Sequence, residues 1–584
     1  MDTDLKAPVA DGPTPIEAPT VTFEKLTFSD GTTIALDETD IVVLVGPNNA
    51  GKSAALRELE AHIGPARQET IIKSVSLKRS GSGKQLVEFL EQQGRKKGRD
   101  RRESYFGYRF TLRTREVESW FQNNLDQLRP FFCLRVATES RITDSNSASA
   151  IPILDEQPSH PIHLLYAEQE TEERISGYFR RAFNKDLIVF RAGGSKWPLL
   201  VGDRPTPKPD EQIYSVAYNQ RLRSAALPLE SEGDGMRSFA SVILQLLTPD
   251  TPSVLLLDEP EAFLHPPQAR LLGEFIARER PKRAQLFVAT HSVDVLQGLL
   301  NVASEHLRVL RIQREGTINR VKELDKTKTR AIGADPLMKF SNVMSGIFYQ
   351  RVVVAEADSD CMFYSAILDL PNVHGGLQPD VLFIHAGGKH RMAALAEALR
   401  SLDVSVDVVA DMDVLKEDTV LKRIVDALGG DWKSIETDAK AVRAAIEQHK
   451  PWLNSAEIVK GVSDALARAP ATGEFPSNIR SEIDAIFRKA SPWDAVKEAG
   501  AAAIPAGQAT KQFESLQANC RTFGLWIVPV GQLEGFCKSI GGHGPRWVQE
   551  VIETKSLASD KELSRAREFV GQLWNSKANA RTPA

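Results

Sequence analysis

GPNNAGKS, residues 46–53, follows IVVLV, an unbroken apolar run over residues 41–45. Such a run is typical of a strand buried on both faces of a parallel sheet. Two glycines, a lysine and a serine at this spacing form a P-loop, whose backbone N–H groups surround phosphate at the start of a helix. The lysine reaches the terminal phosphates of ATP, and the serine holds Mg²⁺. The predicted nucleotide ligands are Gly46, Asn49, Gly51, Lys52 and Ser53.

Two later strands complete the predicted nucleotide site. SVLLLDEPE, residues 253–261, ends a buried strand in Asp258, which is placed to hold Mg²⁺, and Glu259, which is placed to polarise the attacking water. QLFVATHS, residues 285–292, ends the next strand near His291, which is suited to sensing the γ-phosphate. A surface acidic pair and a structural histidine are the alternatives, but the order of the three motifs favours ATP hydrolysis.

The segment LESEGDGMRSFASVILQLL, residues 229–247, lies just before the acidic strand. It resembles the signature segment of ABC-type ATPases, in which Ser231, Gly233 and Gly235 would present hydroxyl and N–H groups to phosphate. In that family this surface contacts ATP bound to the opposite subunit. The resemblance therefore implies a homodimer or a higher homo-oligomer, with an ordinary helix N-terminus as the alternative.

A second group of strands carries acidic residues at its carboxyl ends. RVVVAEADSD places Glu356 at the end of a buried strand and Asp360 at the start of a helix. VDVVADMD ends a later strand in Asp411 and Asp413, whose side chains leave the same side of an extended chain. These carboxylates predict an oxygen-rich site for Mg²⁺ or Mn²⁺ and not for zinc. Scattered solvated carboxylates are the alternative.

A strand ending in glutamate, then a strand ending in Asp-x-Asp, resembles the Toprim fold of type II topoisomerases, DnaG-type primases and OLD-family (overcoming lysogenization defect) nucleases. DEPEAFLHPPQ, residues 258–268, resembles RecF-like and OLD-family ATPases, whereas transporter ATPases usually differ there. VPVGQLEGF, residues 528–536, is similar to a late OLD segment, which implies that Glu534 belongs to a second metal site. The resemblance further implies a phosphate contact in HAGGKHRM and a late lysine; the candidates are Lys389 or His390, and Lys538 or Lys555.

One residue departs from this family pattern. The glycine that usually follows the first Toprim glutamate is Ala357. Little is lost if the glycine serves only to give close access, whereas alanine costs about 1 kcal/mol or more if the turn requires a positive φ. Such strain would leave a weak or inactive nuclease.

Composition restricts the partners and the compartment. The 584 residues carry a formal net charge of −4, so contact with nucleic acid needs a local basic patch. GRKKGRDRRES, residues 94–104, offers such a patch, and a solvated loop is the alternative. Scattered cysteines, a leader without an apolar segment and no apolar run of about 18 residues predict a cytoplasmic protein without a membrane partner. The basic residues of the patch are Arg95, Lys96, Lys97, Arg99, Arg101 and Arg102.

Strands that alternate with helices predict an α/β fold with a parallel sheet in each half. We expect a disordered leader over residues 1–20, an ABC-type ATPase domain over residues 21–335 and a Toprim domain over residues 345–584. The ATPase domain should begin with a hairpin that turns at residues 29–31 and should carry a basic or dimerisation insertion at about 74–225. Helix formers predict a helical insertion in the Toprim domain at about 415–520.

The chain as a whole resembles an OLD-family ATP-dependent endonuclease that uses ATP and Mg²⁺ or Mn²⁺. The resemblance implies that the ATPase gates the cleavage of nucleic acid, with DNA the expected substrate, and it implies a role in bacterial defence against phage. A RecF-like DNA-repair scaffold with a degenerate Toprim domain and an RNA-directed nuclease stay open. A topoisomerase would need a tyrosine on a separate cleavage domain, which the sequence does not indicate. A separate partner protein is compatible with each of these functions.

Overall fold

A computed structural model gives two compact units, Met1–Lys326 and Thr327–Ala584. The expected leader lies largely outside the residues that the structure describes, as does most of the expected boundary at residues 335–345. No helix in the described part of the chain is long and apolar enough to cross a bilayer. The described residues are 16–64, 70–93, 96–97, 104–107, 110–113, 117, 120, 125–154, 156, 158–247, 252–303, 305–325, 327, 331, 342–376, 378–448, 455–470, 472–488 and 492–576.

The first unit contains strands from Thr20 to Glu323. They are β1 (Thr20–Phe28), β2 (Thr33–Ala35), β3 (Ile41–Val45), β4 (Ile72–Ser80), β5 (Lys96–Lys97), β6 (Ser104–Phe106), β7 (Thr111–Arg113), β8 (Cys133–Val136), β9 (Ala148–Ser149), β10 (Asp186–Val189), β11 (Lys196–Trp197), β12 (Leu199–Gly202), β13 (Ala226–Pro228), β14 (Val254–Asp258), β15 (Gln285–Ala289), β16 (Leu307–Glu315) and β17 (Ile318–Glu323).

The central sheet of this unit has the strand order β17-β16-β3-β15-β14-β8. Only β17 runs antiparallel to its neighbour among these described strands. Every residue of β3, β14 and β15 is buried, as their unbroken apolar sequences predict. The remaining described strands form smaller sheets, and β1 pairs with β2 antiparallel around residues 29–31, so the predicted hairpin is confirmed.

The first unit's helices cover the sheets and connect the strands. They are α1 (Lys52–His62), α2 (Gly83–Gln92), α3 (Arg129–Phe132), α4 (Arg141–Asp144), α5 (Pro161–Ala167), α6 (Gln169–Phe183), α7 (Val216–Ala225), α8 (Asp234–Leu246), α9 (Pro266–Glu279) and α10 (Val293–Ala303), with a 3₁₀ helix at Leu229–Ser231.

The second unit is built on a parallel sheet of its own. Its strands are β18 (Arg351–Ala355), β19 (Val381–His385), β20 (Ser405–Ala410) and β21 (Leu525–Ile527). The strand order is β19-β18-β20-β21, with every pairing parallel. Helices separate consecutive strands, as is usual for the crossover connections between parallel strands. The predicted α/β class is therefore confirmed in both units.

Most of the second unit's helices lie between β20 and β21. The described residues of that segment form helices and turns and no strand. The helices are α11 (Asp358–Leu368), α12 (Pro371–His374), α13 (Lys389–Ser401), α14 (Asp418–Ala427), α15 (Lys433–Gln448), α16 (Ser455–Leu466), α17 (Ser477–Arg488), α18 (Pro492–Ala499), α19 (Gln508–Thr522), α20 (Pro545–Thr554) and α21 (Ser564–Asn575). The 3₁₀ helices of this unit are Val343–Phe348, Met412–Lys416, Gly500–Ala503 and Leu533–Phe536.

A buried ion pair joins neighbouring strands of the second sheet. The guanidinium of Arg351 on β18 donates to Asp407 on β20, whose side chain is fully buried. The indole N–H of Trp526 on β21 donates to the other oxygen of Asp407 at 2.9 Å. One carboxylate therefore connects three strands of the sheet.

We predict that Asp407→Ala lowers the free energy of unfolding of the second unit by about 3–5 kcal/mol, because it leaves a buried guanidinium without its counter-ion. Urea denaturation followed by tryptophan fluorescence measures the loss. Asp426→Ala, which removes an exposed pair with Lys422, is the control and should cost less than about 1 kcal/mol. Equal losses in the two variants would contradict the prediction.

Candidate functional site

The first candidate site lies at the carboxyl edge of the central sheet in the first unit. β3, β15 and β14 are parallel neighbours in that order, so the segments that follow them leave the sheet side by side. These segments carry the P-loop, the histidine motif and the acidic motif. In open α/β sheets this edge is where ligands bind.

The P-loop adopts the backbone that its glycines permit. Gly46 has φ 141°, and a Cβ atom there would lie 2.0 Å from the carbonyl oxygen of Ile312. Asn49 has φ 61° and Gly51 has φ 97°, immediately before α1 begins at Lys52. Left-handed residues in such a loop turn successive N–H groups into an anion-binding concavity. The loop is therefore shaped for phosphate.

The cationic and metal-binding side chains of the loop are already engaged. Lys52 is buried and donates through Nζ to the carbonyl oxygens of Gly46 at 2.8 Å and Pro47 at 3.0 Å. Ser53 Oγ donates to Oδ1 of Asp258 at 2.7 Å, and Asp258 ends β14. The hydroxyl and the carboxylate predicted to share Mg²⁺ are thus in direct contact.

Glu259 and His291 meet at the same edge. The imidazole Nδ1 of His291 lies 3.4 Å from Oε1 of Glu259, and the side chains are 50% and 36% exposed. Glu259 has φ 45°, a left-handed conformation that costs a non-glycine residue about 1–2 kcal/mol. Its N–H donates to the carbonyl oxygen of Ala289 at 2.8 Å. Both predicted catalytic side chains are accessible from solvent.

The sequence argument missed two buried residues behind this pair. Oε1 of Glu261 accepts from Thr290 Oγ1 at 2.6 Å and from the N–H of His291 at 3.1 Å. Burial raises the pKa of Glu261. The second glutamate of DEPE and the threonine of ATHS together fix the backbone from which His291 projects.

The predicted signature segment forms a helix N-terminus. Ser231 ends the 3₁₀ helix and is exposed, and Gly233 is the exposed N-cap residue of α8. Gly235 approaches the acidic segment closely, because a Cβ atom there would lie 2.7 Å from the carbonyl oxygen of Phe263. The exposure of Ser231 and Gly233 is compatible with contact to another subunit, which stays a prediction.

The second candidate site lies at the carboxyl edge of the sheet in the second unit. Glu356 follows β18, and Asp411 follows β20, the neighbour of β18. Asp360 lies in the first turn of α11, where its Oδ2 accepts from the N–H of Ala357 at 2.7 Å. Asp413 lies in the 3₁₀ helix that follows Asp411. The four predicted carboxylates therefore gather at one edge.

Burial and mutual repulsion disfavour the charged forms of Glu356, Asp360 and Asp411. Burial raises the pKa of Glu356, and the charge of Asp413 adds to the rise. Burial and the charges of Glu356 and Glu534 raise the pKa of Asp360 to about 6. The pKa of Asp411 is raised well above its usual value by burial and then by its acidic neighbours. The cluster therefore favours a proton or a cation.

Two lysines lie against Asp413. Nζ of Lys497 is 2.9 Å from Oδ2 of Asp413, and Nζ of Lys389 is 3.5 Å from the same oxygen. Lys389 also pairs with Glu417 at 3.1 Å, whereas His390 is exposed. Of the two residues proposed from the glycine-rich turn, Lys389 is the one in contact with the acidic centre.

Lys497 is a third residue that the sequence did not reveal, and two glycines place it. It lies on α18, in the helical segment between β20 and β21. A Cβ atom on Gly531 would lie 2.2 Å from the carbonyl oxygen of Lys497, and one on Gly500 would lie 2.4 Å from the carbonyl carbon of Val530. The segment that leads to Glu534 and the end of α18 are thus in backbone contact, which holds the lysine at the centre.

Glu534 and the late lysines occupy different surroundings. Oε1 of Glu534 accepts from the N–H of Gly544 at 2.9 Å and lies 3.4 Å from Nδ1 of His543. Lys555 pairs with Asp560 and Glu562, at 3.7 Å and 3.5 Å. The charge of Glu534 contributes to the raised pKa of Asp360, and the place of Glu534 in a second metal site stays a prediction.

The turn at Ala357 does not require a positive φ. The residue has φ −127° and ψ 167°, an extended conformation that alanine adopts freely, and it caps α11. The turn therefore needs no glycine, and alanine introduces no strain there.

The metal centre and the basic patch stay predictions. Across the described residues, no group of three or more His, Cys, Asp or Glu side chains is arranged to hold one ion. In the basic patch, Lys96 and Lys97 form β5, whereas Arg95, Arg99, Arg101 and Arg102 lie outside the described residues.

Comparison with known proteins identifies the first unit. The family model "AAA domain, putative AbiEii toxin, Type IV TA system" matches residues 41–296. No curated protein sequence matches the chain. Similar solved structures include the Smc head bound to the C-winged helix domain of ScpA, at 13% identity, 53% coverage of this chain, 99% of that chain and TM-score 0.32. The SMC head domain from Thermotoga maritima is similar at 12% identity, 52% coverage of this chain, 99% of that chain and TM-score 0.28.

The family match agrees with the geometry of the nucleotide site. It contains the P-loop, the acidic strand and the histidine motif, which adjoining parallel strands bring together. Residues 41–296 therefore form an ATPase domain of the ABC type.

We predict that Ser53→Ala weakens the binding of Mg²⁺–ATP by about tenfold, because one charge-assisted contact through the metal is lost. Binding of ATP without Mg²⁺ should change little. Fluorescence titration with a labelled ATP analogue, with and without Mg²⁺, measures both affinities.

Ser82→Ala is the control for that titration, since Ser82 caps α2 and contacts no P-loop residue through this cap. Equal weakening of nucleotide binding with and without Mg²⁺ in Ser53→Ala would contradict the shared metal role of Ser53 and Asp258.

Proposed function

We propose that the chain is an ATP-dependent, divalent-metal-dependent endonuclease of the OLD type, with a Toprim domain in its second unit. The observation that carries the proposal is the gathering of Glu356, Asp360, Asp411 and Asp413 at one carboxyl edge. Burial and repulsion disfavour the negative charge of the first three. A stability role would not require like charges in this arrangement. A site for a cation bound to a phosphodiester would require it.

The residues fit Mg²⁺ or Mn²⁺ by their chemistry. Oε2 of Glu356 and Oδ1 of Asp413 are buried oxygen atoms without a hydrogen-bond partner, and hard divalent ions select carboxylate oxygens. When bound, such ions activate water and stabilise the charge that develops on the leaving oxygen. Glu356, Asp360, Asp411 and Asp413 would hold them, and Glu534 would contribute to a second position.

The chain's own cations define the second part of the site. The ammonium groups of Lys389 and Lys497 pair with Asp413 and are suited to contact the phosphate of a bound strand. His390, exposed beside Lys389, is available to the same strand. The acids therefore would bind the ions, and the lysines would orient the phosphodiester.

The ATPase is proposed to license or restrain cleavage through dimerisation. The exposed Ser231 and Gly233 would contact ATP on a second copy of the chain, while Lys52, Ser53 and Asp258 hold it on the first. Glu259 and His291 would support hydrolysis. DNA is the proposed substrate, the cytoplasm the proposed location and defence against phage the proposed role.

One observation favours a second candidate, a RecF-like DNA-repair scaffold whose Toprim domain is degenerate. Two lysines lie where a divalent ion would neutralise Asp413, and no described set of side chains is arranged to hold an ion. In a scaffold those lysines would be permanent counter-ions of the acids.

We predict metal-dependent nicking or linearisation of supercoiled plasmid by the purified chain with Mg²⁺ or Mn²⁺. Asp411→Ala/Asp413→Ala should abolish it, and Asp426→Ala, an exposed carboxylate on α14, should not. Lanes with and without ATP show whether the nucleotide licenses or restrains cleavage. Cleavage of labelled RNA alone would replace DNA as substrate, and intact plasmid and RNA in every lane would favour the scaffold.

We also predict that Lys497→Gln binds Mn²⁺ about tenfold more tightly than the wild type, because one of the two cations that compete for Asp413 is removed. Isothermal titration calorimetry measures the affinity, with Lys422→Gln, an exposed lysine on α14, as the control. Unchanged or weaker Mn²⁺ binding in Lys497→Gln would contradict this competition.

A further inference from the structure

Arg141 is a fully buried arginine next to the nucleotide site. Its side chain is 0% exposed, and it begins the short helix α4. Burial lowers the pKa of Arg141, and the negative charges of Glu261, Asp258 and Glu259 oppose that effect. Because a guanidinium keeps its charge in proteins, the acidic motif after β14 supplies the surroundings that permit its burial.

The hydrogen bond of Arg141 goes to the backbone of the predicted catalytic glutamate. Nη1 of Arg141 donates to the carbonyl oxygen of Glu259 at 2.6 Å. Nearby in the same segment, Thr138 Oγ1 donates to the carbonyl oxygen of Asp258 at 3.2 Å. The segment after β8 therefore binds two consecutive carbonyls of the acidic motif.

This contact falls at a residue of the motif whose backbone is left-handed. Glu259 has φ 45°, and its N–H is fixed by the carbonyl oxygen of Ala289. A non-glycine residue keeps a left-handed conformation only where its surroundings hold it. The guanidinium on the carbonyl side and the β15 carbonyl on the N–H side provide that restraint from opposite ends of the residue.

Arg141 and Glu261 also have buried polar atoms that make no hydrogen bond to another described residue. Nε and Nη2 of Arg141 and Oε2 of Glu261 are buried without a hydrogen-bond partner in the described structure. The other oxygen of Glu261 holds the N–H of His291. Arg141 and Glu261 thus lie behind Glu259 and His291, and each contacts the backbone of one of them.

We propose that Arg141 is a positioning residue for ATP hydrolysis, which fixes the left-handed backbone of Glu259 so that its carboxylate stays beside His291 at the phosphate edge. Arg141 acts through Glu259 and does not contact the nucleotide. The inference rests on the ATPase activity of the first unit and is independent of the nuclease.

The test compares Arg141→Met and Arg141→Lys with the wild type in steady-state ATPase assays and in titrations with a labelled ATP analogue. Arg141→Met should lower kcat at least tenfold while the nucleotide Kd changes less than about twofold, since the P-loop contacts remain. Arg141→Lys should recover part of kcat, because an ammonium group can still donate to the carbonyl oxygen of Glu259.

Arg191→Met is the control for loss of an arginine that is largely, though not fully, buried. Arg191 donates to backbone carbonyls of Tyr166 and Leu165 and pairs with Glu172, in the same unit but without a described contact to the nucleotide motifs. Thermal unfolding of both methionine variants shows how far each is destabilised. Arg191→Met should lose stability without a specific loss of kcat.

A double-mutant cycle with Glu259→Gln separates positioning from general stability. If Arg141 acts through the Glu259 carboxylate, Arg141→Met should lower single-turnover hydrolysis less than about twofold in the Glu259→Gln background. Equal losses in both backgrounds, or a kcat of Arg141→Met equal to that of the wild type, would overturn the inference alone. Absence of hydrolysis by the wild type would overturn the ATPase and the inference together.

Discussion

The hydrogen bond between Ser53 and Asp258 joins two segments that are 205 residues apart in the chain. It exists because β3 and β14 flank β15 in one parallel sheet, so that the segments after all three strands leave the same edge. The phosphate loop, the acidic motif and the histidine motif have a common site only in that strand order. The nucleotide site of the first unit therefore forms only because the sheet places these three strands side by side.

The second unit also places its predicted site at the carboxyl edge of a parallel sheet, but the charges at that edge are different. Its parallel strands also deliver carboxylates to one edge, but here several acids are buried together, and burial raises the pKa of three of them. Lys389 and Lys497 neutralise part of that charge at Asp413. Because Lys497 comes from the helical segment, that segment is part of the proposed nuclease site.

Sequence predicted the components that depend on local chemistry. The buried strands, the P-loop and the acids follow from apolar runs, glycine spacing and position after a strand. Sequence did not predict Arg141, whose partner is a backbone carbonyl 118 residues away, because a carbonyl leaves no signal in the sequence. It did not predict Lys497 either, since that contact depends on close backbone approach at Gly531. Sequence also left open whether the turn at Ala357 needs a positive φ, because φ at a single turn cannot be read from residue type.

Manganese binding, counted by electron paramagnetic resonance with and without ATP, tests most directly that the chain has two separate metal-dependent sites. The account predicts Mn²⁺ that binds without nucleotide and is lost in Asp411→Ala/Asp413→Ala, together with further Mn²⁺ that binds only with ATP and is lost in Asp258→Ala. If all Mn²⁺ binding requires ATP and the Asp411→Ala/Asp413→Ala variant binds as much as the wild type, the acidic centre of the second unit is not a metal site.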